Sequence, residues 1–182
     1  SVLRKRIIFT LLYADGFFWL SRNYRLQKVG DILWLENNYG FKSVSSFIDE
    51  LIVLNVSRKK KDIDEFAAVV SRLVENVFIP VAAGGGIALV SDAKKLFNSG
   101  ADKLVVNTLF VEDKNLVQEL ISIYGSQSIV ASVDYRMEDN TAIPYINNGL
   151  RPIGMQLNEY IEYLQELKVG EIYLSSIEKD GT

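Results

Sequence analysis

The chain has 182 residues, of which 48% are hydrophobic, and its formal net charge is -3 at pH 7. This length predicts one globular domain with a well-buried core, and the dispersed charge gives no general attraction to nucleic acid. Because the sequence has neither Cys nor His, disulfides, thiol nucleophiles, Ser-His-Asp triads and Cys or His metal sites are excluded. Any acid–base chemistry is therefore expected to use carboxylates.

The N-terminal stretch SVLRKRIIFTLLY is interpreted as a strand rather than a signal peptide. Its apolar part is only a few residues long, and no small-residue cleavage site follows it. No stretch approaches the roughly 18 consecutive apolar residues of a membrane span. These features predict a cytoplasmic protein with no membrane contact.

Six short apolar runs, bounded by Gly, Asp or Asn, have the length and aliphatic composition of strands buried on both faces. They occupy residues 6–12, 50–56, 78–83, 103–108, 128–134 and 171–176. The basic run RKKK at 58–61, which follows the second of them, is interpreted as a solvated loop, with an anion site as the alternative.

Four segments between these runs have apolar residues at helical spacing. They are residues 64–77, 91–100, 115–125 and 158–170. Ser91 is expected to cap the second helix, and Gly100 and Gly125 stand where C-cap glycines stand. Strands that alternate with helices in this way predict an α/β fold with a parallel sheet, either closed as a barrel or open between helices.

Two segments depart from this alternation. Residues 31–49 have a poor helical pattern, so a first helix is not securely predicted there. Residues 141–151 carry two short apolar runs and an Asn-Gly turn signal, which predict a hairpin after the fifth strand. In a barrel such an insertion would overhang the active face.

A run of three glycines, residues 84–86, follows the third strand. Backbone N–H groups without a neighbouring Cβ can approach a phosphate closely, but a tight turn that needs positive φ explains the glycines equally well. Asn107 and Thr108 end the next strand and would lie on the same rim of a parallel barrel. This pair favours a phosphate cradle.

Asp134 ends the fifth predicted strand, after six residues without a charge. It is either a structural cap on the following loop or a catalytic acid–base group, and its position slightly favours catalysis. Asp180 and Gly181, after the sixth strand, have the same two interpretations.

Six blocks of the sequence are characteristic as a set. They are KRII at 5–8, DG at 15–16, VFIPVAAGGGI at 77–87, SGADKLVVNT at 99–108, YGSQSIVASVD at 124–134 and GEIYLSSIEKDGT at 170–182. In order and spacing they resemble the cyclase subunit of imidazole glycerol phosphate synthase, most weakly at 17–49. The resemblance implies a parallel (β/α)8 TIM-type barrel as a single domain over 1–182, with about six β/α units and without the last two.

The resemblance also implies an activity of the lyase class, within a glutamine amidotransferase complex. In that family ammonia from a glutaminase partner, bound as a heterodimer, passes through the barrel to a phosphorylated aminoimidazole precursor of histidine. Asp134 matches the second of two catalytic aspartates. The positions matching phosphate and substrate contacts are Gly85, Gly86, Asn107, Thr108, Ser175, Asp180 and Gly181. Neither a metal nor another cofactor is implied.

Four charged residues match the ring at the amino-terminal mouth of the barrel, where ammonia enters in that family. They are Arg6, Glu50, Lys103 and Glu171. A structural ring that closes the barrel floor is the alternative interpretation.

Three positions depart from the family pattern. The first catalytic aspartate falls on Leu12, the substrate-loop lysine falls near Leu20, and the aspartate of the second strand is replaced by Asn55. A leucine can neither donate nor accept a proton, so the two-carboxylate mechanism cannot operate as it does in the family. Asp15, three residues after Leu12, is offset from the strand end and is an unfavourable substitute.

A leucine-rich first strand resembles a paralogous branch associated with surface polysaccharide and lipopolysaccharide. This resemblance implies that the barrel passes ammonia from a glutaminase to a sugar amidotransferase, which forms an acetamidino group on a nucleotide sugar. We therefore expect an ammonia-supplying paralogue with impaired cyclase chemistry. A genuine cyclase is the alternative, and a phosphate-binding scaffold or sensor is a weaker one.

Overall fold

The computed structural model describes residues 7–22, 25–30, 48–57 and 61–177. The strands in these ranges are β1 (Ile8–Ala14), β2 (Phe17–Arg22), β3 (Arg25–Gly30), β4 (Glu50–Asn55), β5 (Val81–Gly84), β6 (Lys103–Val106), β7 (Ile129–Glu138), β8 (Thr141–Ile146), β9 (Arg151–Pro152) and β10 (Glu171–Ser176). The helices are α1 (Ile63–Asn76), α2 (Val90–Asn98), α3 (Leu109–Glu112), α4 (Lys114–Tyr124) and α5 (Leu157–Glu166), with a 3-10 turn at Ser126–Ser128.

Six of the described strands pair in parallel with a neighbour, and they are the six predicted apolar runs. These strands are β1, β4, β5, β6, β7 and β10. The predicted α/β fold with parallel strands is confirmed. The chain divides into two compact units, a first unit within residues 1–86 and 94–102 and a second unit within 87–93 and 103–182. That all of it forms one domain stays a prediction.

In the first unit, β4 pairs in parallel with both β1 and β5. Helix α1 begins where Asp62 caps it, its Oδ1 accepting hydrogen bonds from the N–H groups of Asp64 and Glu65 at 3.0 and 3.2 Å. The apolar stripe of this helix is buried: Phe66, Ala67, Val69, Val70 and Leu73. Side chains at helical spacing thus give α1 one face for the core, as predicted.

A hairpin that the sequence analysis did not predict follows β1 in the first unit. Strand β2 pairs antiparallel with β1 and with β3. Asp15 and Gly16 connect β1 to β2 with φ of 51° and 89°. An Asp-Gly pair between apolar runs is a strong hairpin signal, so this hairpin follows from a local pattern. The expectation of a poor helix at 31–49 falls mostly on residues outside the described ranges.

The predicted helix caps are partly confirmed. Helix α2 begins at Val90, so the prediction that Ser91 caps it is wrong. The Asp92 carboxylate instead accepts hydrogen bonds from the N–H groups of Ala88 and Leu89 at 2.9 and 3.0 Å. Gly100 and Gly125 follow their helices with φ of 101° and 90°, as predicted for C-cap glycines.

In the second unit, β7 pairs in parallel with β6 and β10 and antiparallel with β8. The hairpin predicted near 141–151 is confirmed, because β8 returns along β7 and then pairs with β9. Strand β7 therefore extends to Glu138, and Asp134 lies within it rather than at its end. No helix in the described ranges has both the length and the apolar character needed to cross a bilayer.

Candidate functional site at the strand ends

One face of the second unit collects polar and charged side chains of three strands. Successive side chains of a strand point to opposite faces, so every second residue of β7 lies on this face: Val130, Ser132 and Asp134. The register pairs them with Glu171, Tyr173 and Ser175 of β10. Lys103 and Asn107, at the two ends of β6, share the face with Val105, which pairs with Val130. The polar groups thus lie at both ends of the strands.

Asp134 is the ionisable group at the carboxyl end of this face. Its carboxylate is partly buried and makes no hydrogen bond to another described residue, so the structural-cap interpretation has no support. Burial raises its pKa from 3.8 to about 6. A carboxyl group with such a pKa exchanges a proton readily near neutral pH, as a general acid or base must. Ser175 and Tyr145 stand beside it on the neighbouring strands.

Asn107 and Thr108 form a hydrogen-bonded chain just after β6. The Asn107 amide donates to the Ser132 carbonyl at 2.8 Å, and the Thr108 hydroxyl donates to the Asn107 side-chain oxygen at 3.2 Å. The N–H of Asn147 donates to the Thr108 hydroxyl at 3.0 Å, a link between strand end and hairpin that the sequence analysis missed. Their role as phosphate ligands stays a prediction.

A charged pair occupies the amino end of the same face. The Lys103 ammonium forms an ion pair with the Glu171 carboxylate, which also accepts a hydrogen bond from the Tyr173 hydroxyl at 2.9 Å. Of the four predicted gate residues, the structure brings this pair together within the second unit. Glu50 begins β4 in the first unit and is 1% exposed. Arg6 lies outside the described residues, as do Asp180 and Gly181.

Strand β1 presents no carboxylate at the position of the family's first aspartate. Leu12 pairs with Leu54 of β4 and Trp19 of β2 and is partly buried between them. Asp15 lies in the following turn and is exposed, which agrees with its rejection as a substitute. Asn55 is 4% exposed, and its side-chain oxygen accepts a hydrogen bond from the Ser57 N–H at 3.1 Å.

The glycine run ends β5 in the first unit. Gly85 and Gly86 have φ of 92° and 78°, in the left-handed region. A Cβ on Gly85 would lie 2.5 Å from the Asn55 carbonyl oxygen, and a Cβ on Gly86 would lie 2.9 Å from the Lys61 Cδ. The turn thus needs glycine for both its conformation and its close approach to β4.

We predict that Gly85→Ala destabilises the fold much more than Gly16→Ala does. Both positions have positive φ near 90°, but a Cβ on Gly16 meets nothing within 4 Å. Backbone strain alone should cost about 1 kcal/mol at Gly16, whereas the clash with backbone at Gly85 should raise the cost to about 3 kcal/mol. Urea unfolding of both variants measures the difference. Equal costs would contradict the close approach to Asn55.

Parallel β/α units with polar side chains gathered at the ends of their strands define the class of the protein, which is an α/β chain of (β/α)8-barrel type. Among the described residues, no cluster of His, Cys, Asp or Glu could hold a metal ion. The chain belongs to the histidine biosynthesis protein family, whose model matches residues 28–182. This confirms the family that the sequence blocks resemble.

Curated relatives agree with this membership. A protein of Parasynechococcus marenigrum, named as a candidate imidazole glycerol phosphate synthase subunit hisF2, is 47% identical over 98% of this chain and 66% of its own length. The imidazole glycerol phosphate synthase subunits HisF of Pyrococcus furiosus and Chlorobium limicola are 31% and 33% identical over the whole chain and 71% of their own lengths. The chain therefore spans about two thirds of the length of these relatives.

Proposed function

We propose that the protein is a barrel subunit of imidazole glycerol phosphate synthase type with impaired cyclase chemistry. It receives ammonia from a glutaminase partner in a heterodimer, binds a phosphorylated ligand, and supplies the ammonia for amidination of a nucleotide sugar. The observation that carries the proposal is the combination of Leu12 in β1, at the position of the family's first catalytic aspartate, with an intact Lys103–Glu171 pair. The charged pair that matches the ammonia entrance is retained, whereas the first of the two catalytic aspartates is replaced by Leu12.

The Lys103–Glu171 pair supports a role in ammonia entry because stability does not account for it. The two side chains are 21% and 27% exposed, and pairs near the surface contribute about 0 to 1 kcal/mol to folding. The pair shares one face of the second unit with Asp134 at the opposite strand ends. Ammonia that entered beside Lys103 would move along this face towards Asp134.

The alternative is a genuine cyclase, and Asp134 is the observation that favours it. Its pKa, raised to about 6 by burial, suits a general acid or base at neutral pH. Supplying the aminoimidazole precursor and ammonium ions tests this alternative, and formation of imidazole glycerol phosphate would support it. A scaffold or sensor would instead show phosphate-dependent stabilisation with no turnover and no glutaminase partner.

Co-expression with a glutaminase subunit of imidazole glycerol phosphate synthase type tests the ammonia-supply proposal. We expect the two chains to co-purify and glutamine hydrolysis by the partner to rise about tenfold or more in the complex. A folded partner that neither binds this chain nor responds to it would overturn the proposal.

We predict that Lys103→Met uncouples glutamine hydrolysis from ammonia delivery. The substitution removes the Lys103–Glu171 ion pair and the charge at the proposed entry point for ammonia. Glutamine-dependent amidination should fall about tenfold, while the rate with added ammonium ions should stay within twofold of wild type. Lys94→Met, which removes an exposed lysine of α2, is the matched control. Equal losses with glutamine and with ammonium would contradict a role in entry.

A further inference from the structure

Lys61 is the last residue of the RKKK run, and residues 58–60 of that run lie outside the described ranges. It follows β4, directly precedes the Asp62 cap of α1, and is partly buried. We propose that Lys61 binds the anionic oxygens of a phosphate monoester at the Gly85–Gly86 turn of the first unit. The inference rests on the phosphorylated ligand of the proposed function and adds a cationic residue that the family resemblance does not supply.

The stem of Lys61 packs against the glycine turn. A Cβ on Gly86 would lie 2.9 Å from the Lys61 Cδ and 3.1 Å from its Cβ, so the lysine stem fills the space that a side chain at 86 would take. Long basic side chains commonly bury their stems in this way while the charged end stays accessible. The ammonium lies two bonds beyond Cδ and is therefore within reach of the same turn.

Within the part of the chain that the structure describes, no carboxylate pairs with the Lys61 ammonium. Lys61 makes no hydrogen bond or ion pair with another described residue, and burial lowers its pKa below 10.5. An accessible ammonium without a partner in the protein is available to an anion from solution. The position that is aspartate at the end of the second strand in the family is the neutral Asn55 here.

The nearby carboxylates of α1 are engaged elsewhere. Asp62 caps the helix, Asp64 pairs with Lys95 at 2.8 Å, and Glu65 accepts a hydrogen bond from the Tyr13 hydroxyl at 2.7 Å. Among the described residues, none therefore competes with an anion from outside the chain for the Lys61 ammonium.

The turn supplies the remaining donors. Gly85 and Gly86 are successive residues of positive φ, and neither N–H hydrogen bonds to another described residue. Gly86 is exposed, so an incoming ligand can reach its backbone. Free backbone N–H groups beside an ammonium are the donors that bind phosphate oxygens in proteins. A phosphate monoester, free or carried by a sugar, fits this combination.

Titration calorimetry with inorganic phosphate and with ribose 5-phosphate tests the assignment. The proteins compared are wild type, Lys61→Met, Lys61→Arg and Lys168→Met, the last removing an exposed lysine that precedes β10. We expect Lys61→Met to weaken binding about tenfold to hundredfold, as for a lost charged hydrogen bond. Lys61→Arg and Lys168→Met should stay within about threefold of wild type. Tighter binding of the sugar phosphate than of phosphate would identify a phosphosugar as the ligand, and equal binding would identify the phosphate group alone.

Binding that Lys61→Met leaves unchanged, or that Lys168→Met weakens equally, would overturn the assignment. Thermal melts without phosphate separate folding from binding, because removing a desolvated charge should not lower the melting temperature. If wild type binds neither probe, the anion site is wrong. Stimulation of the glutaminase is measured in a separate experiment, so a negative phosphate titration would not contradict it.

Discussion

Asp134→Asn is expected to stabilise the protein above pH 6 and to have little effect below pH 4. Burial raises the pKa of this carboxyl from 3.8 to about 6, so its ionised form is less stable in the folded chain than in the unfolded one. The folded state binds more protons between these values, and stability therefore falls as pH rises through this window. Above it the ionised carboxylate costs about 2 to 3 kcal/mol, which asparagine does not incur.

Urea unfolding between pH 4 and pH 8 measures this effect. Asp139→Asn is the matched control, because Asp139 is exposed in the β7–β8 turn and has positive φ, which asparagine tolerates well. The control should shift stability by no more than about 0.5 kcal/mol at any pH. A pH dependence shared by wild type and Asp134→Asn would show that this carboxyl is not the titrating group. In contrast to its effect on folding, Asp134→Asn should lower any cyclase turnover by about 10²- to 10⁴-fold.

Leu12→Asp is expected to raise cyclase turnover by about 10²- to 10⁴-fold, the usual contribution of one positioned proton-transfer group. In the family that the chain resembles, two aspartates act as acid and base, and this variant returns a carboxylate to the first of those positions. Formation of imidazole glycerol phosphate from the precursor and ammonium ions is the measurement. The substitution should also destabilise the fold by about 1 to 3 kcal/mol, because Leu12 is partly buried between Leu54 and Trp19.

Leu12→Asn is the matched control for this gain. It has nearly the same shape as the aspartate variant but cannot ionise. A gain in turnover shared by both variants would therefore result from the smaller polar side chain rather than from proton transfer. Wild-type turnover equal to that of Leu12→Asp would contradict impaired chemistry and would favour the genuine cyclase. A gain limited to Leu12→Asp would show that one missing carboxylate separates this chain from a cyclase.

The parts of the fold that follow local rules were predictable. Strands β1, β4, β5, β6, β7 and β10 follow from short apolar runs, and α1 follows from apolar residues at helical spacing. Gly100 and Gly125 end helices because glycine adopts positive φ without strain. The start of α2 was missed because Asp92, the third residue of the helix, reaches back to the N–H groups of Ala88 and Leu89, whereas Ser91 lies inside the helix.

The candidate site was predictable only where its residues are adjacent in sequence to a strand end. Asn107 and the glycine run were found in this way, and Asp134 was found because it ends an apolar run, although β7 continues beyond it. For the RKKK run the sequence favoured a solvated loop and left an anion site as the alternative, because nothing local shows that Lys61 packs on Gly86. The extension of β7 beyond Asp134 depends on its pairing with β8, which local sequence does not fix.

The sequence by itself determined the order of strands and helices, the family and the absence of a carboxylate at position 12. These properties depend on residue identity and on short-range periodicity. Only the tertiary structure decided that Asp134 has a raised pKa, that Lys61 lies against the glycine turn, and that Lys103 meets Glu171. Each of these depends on solvation and contact, which segments distant in the chain create when they pack together.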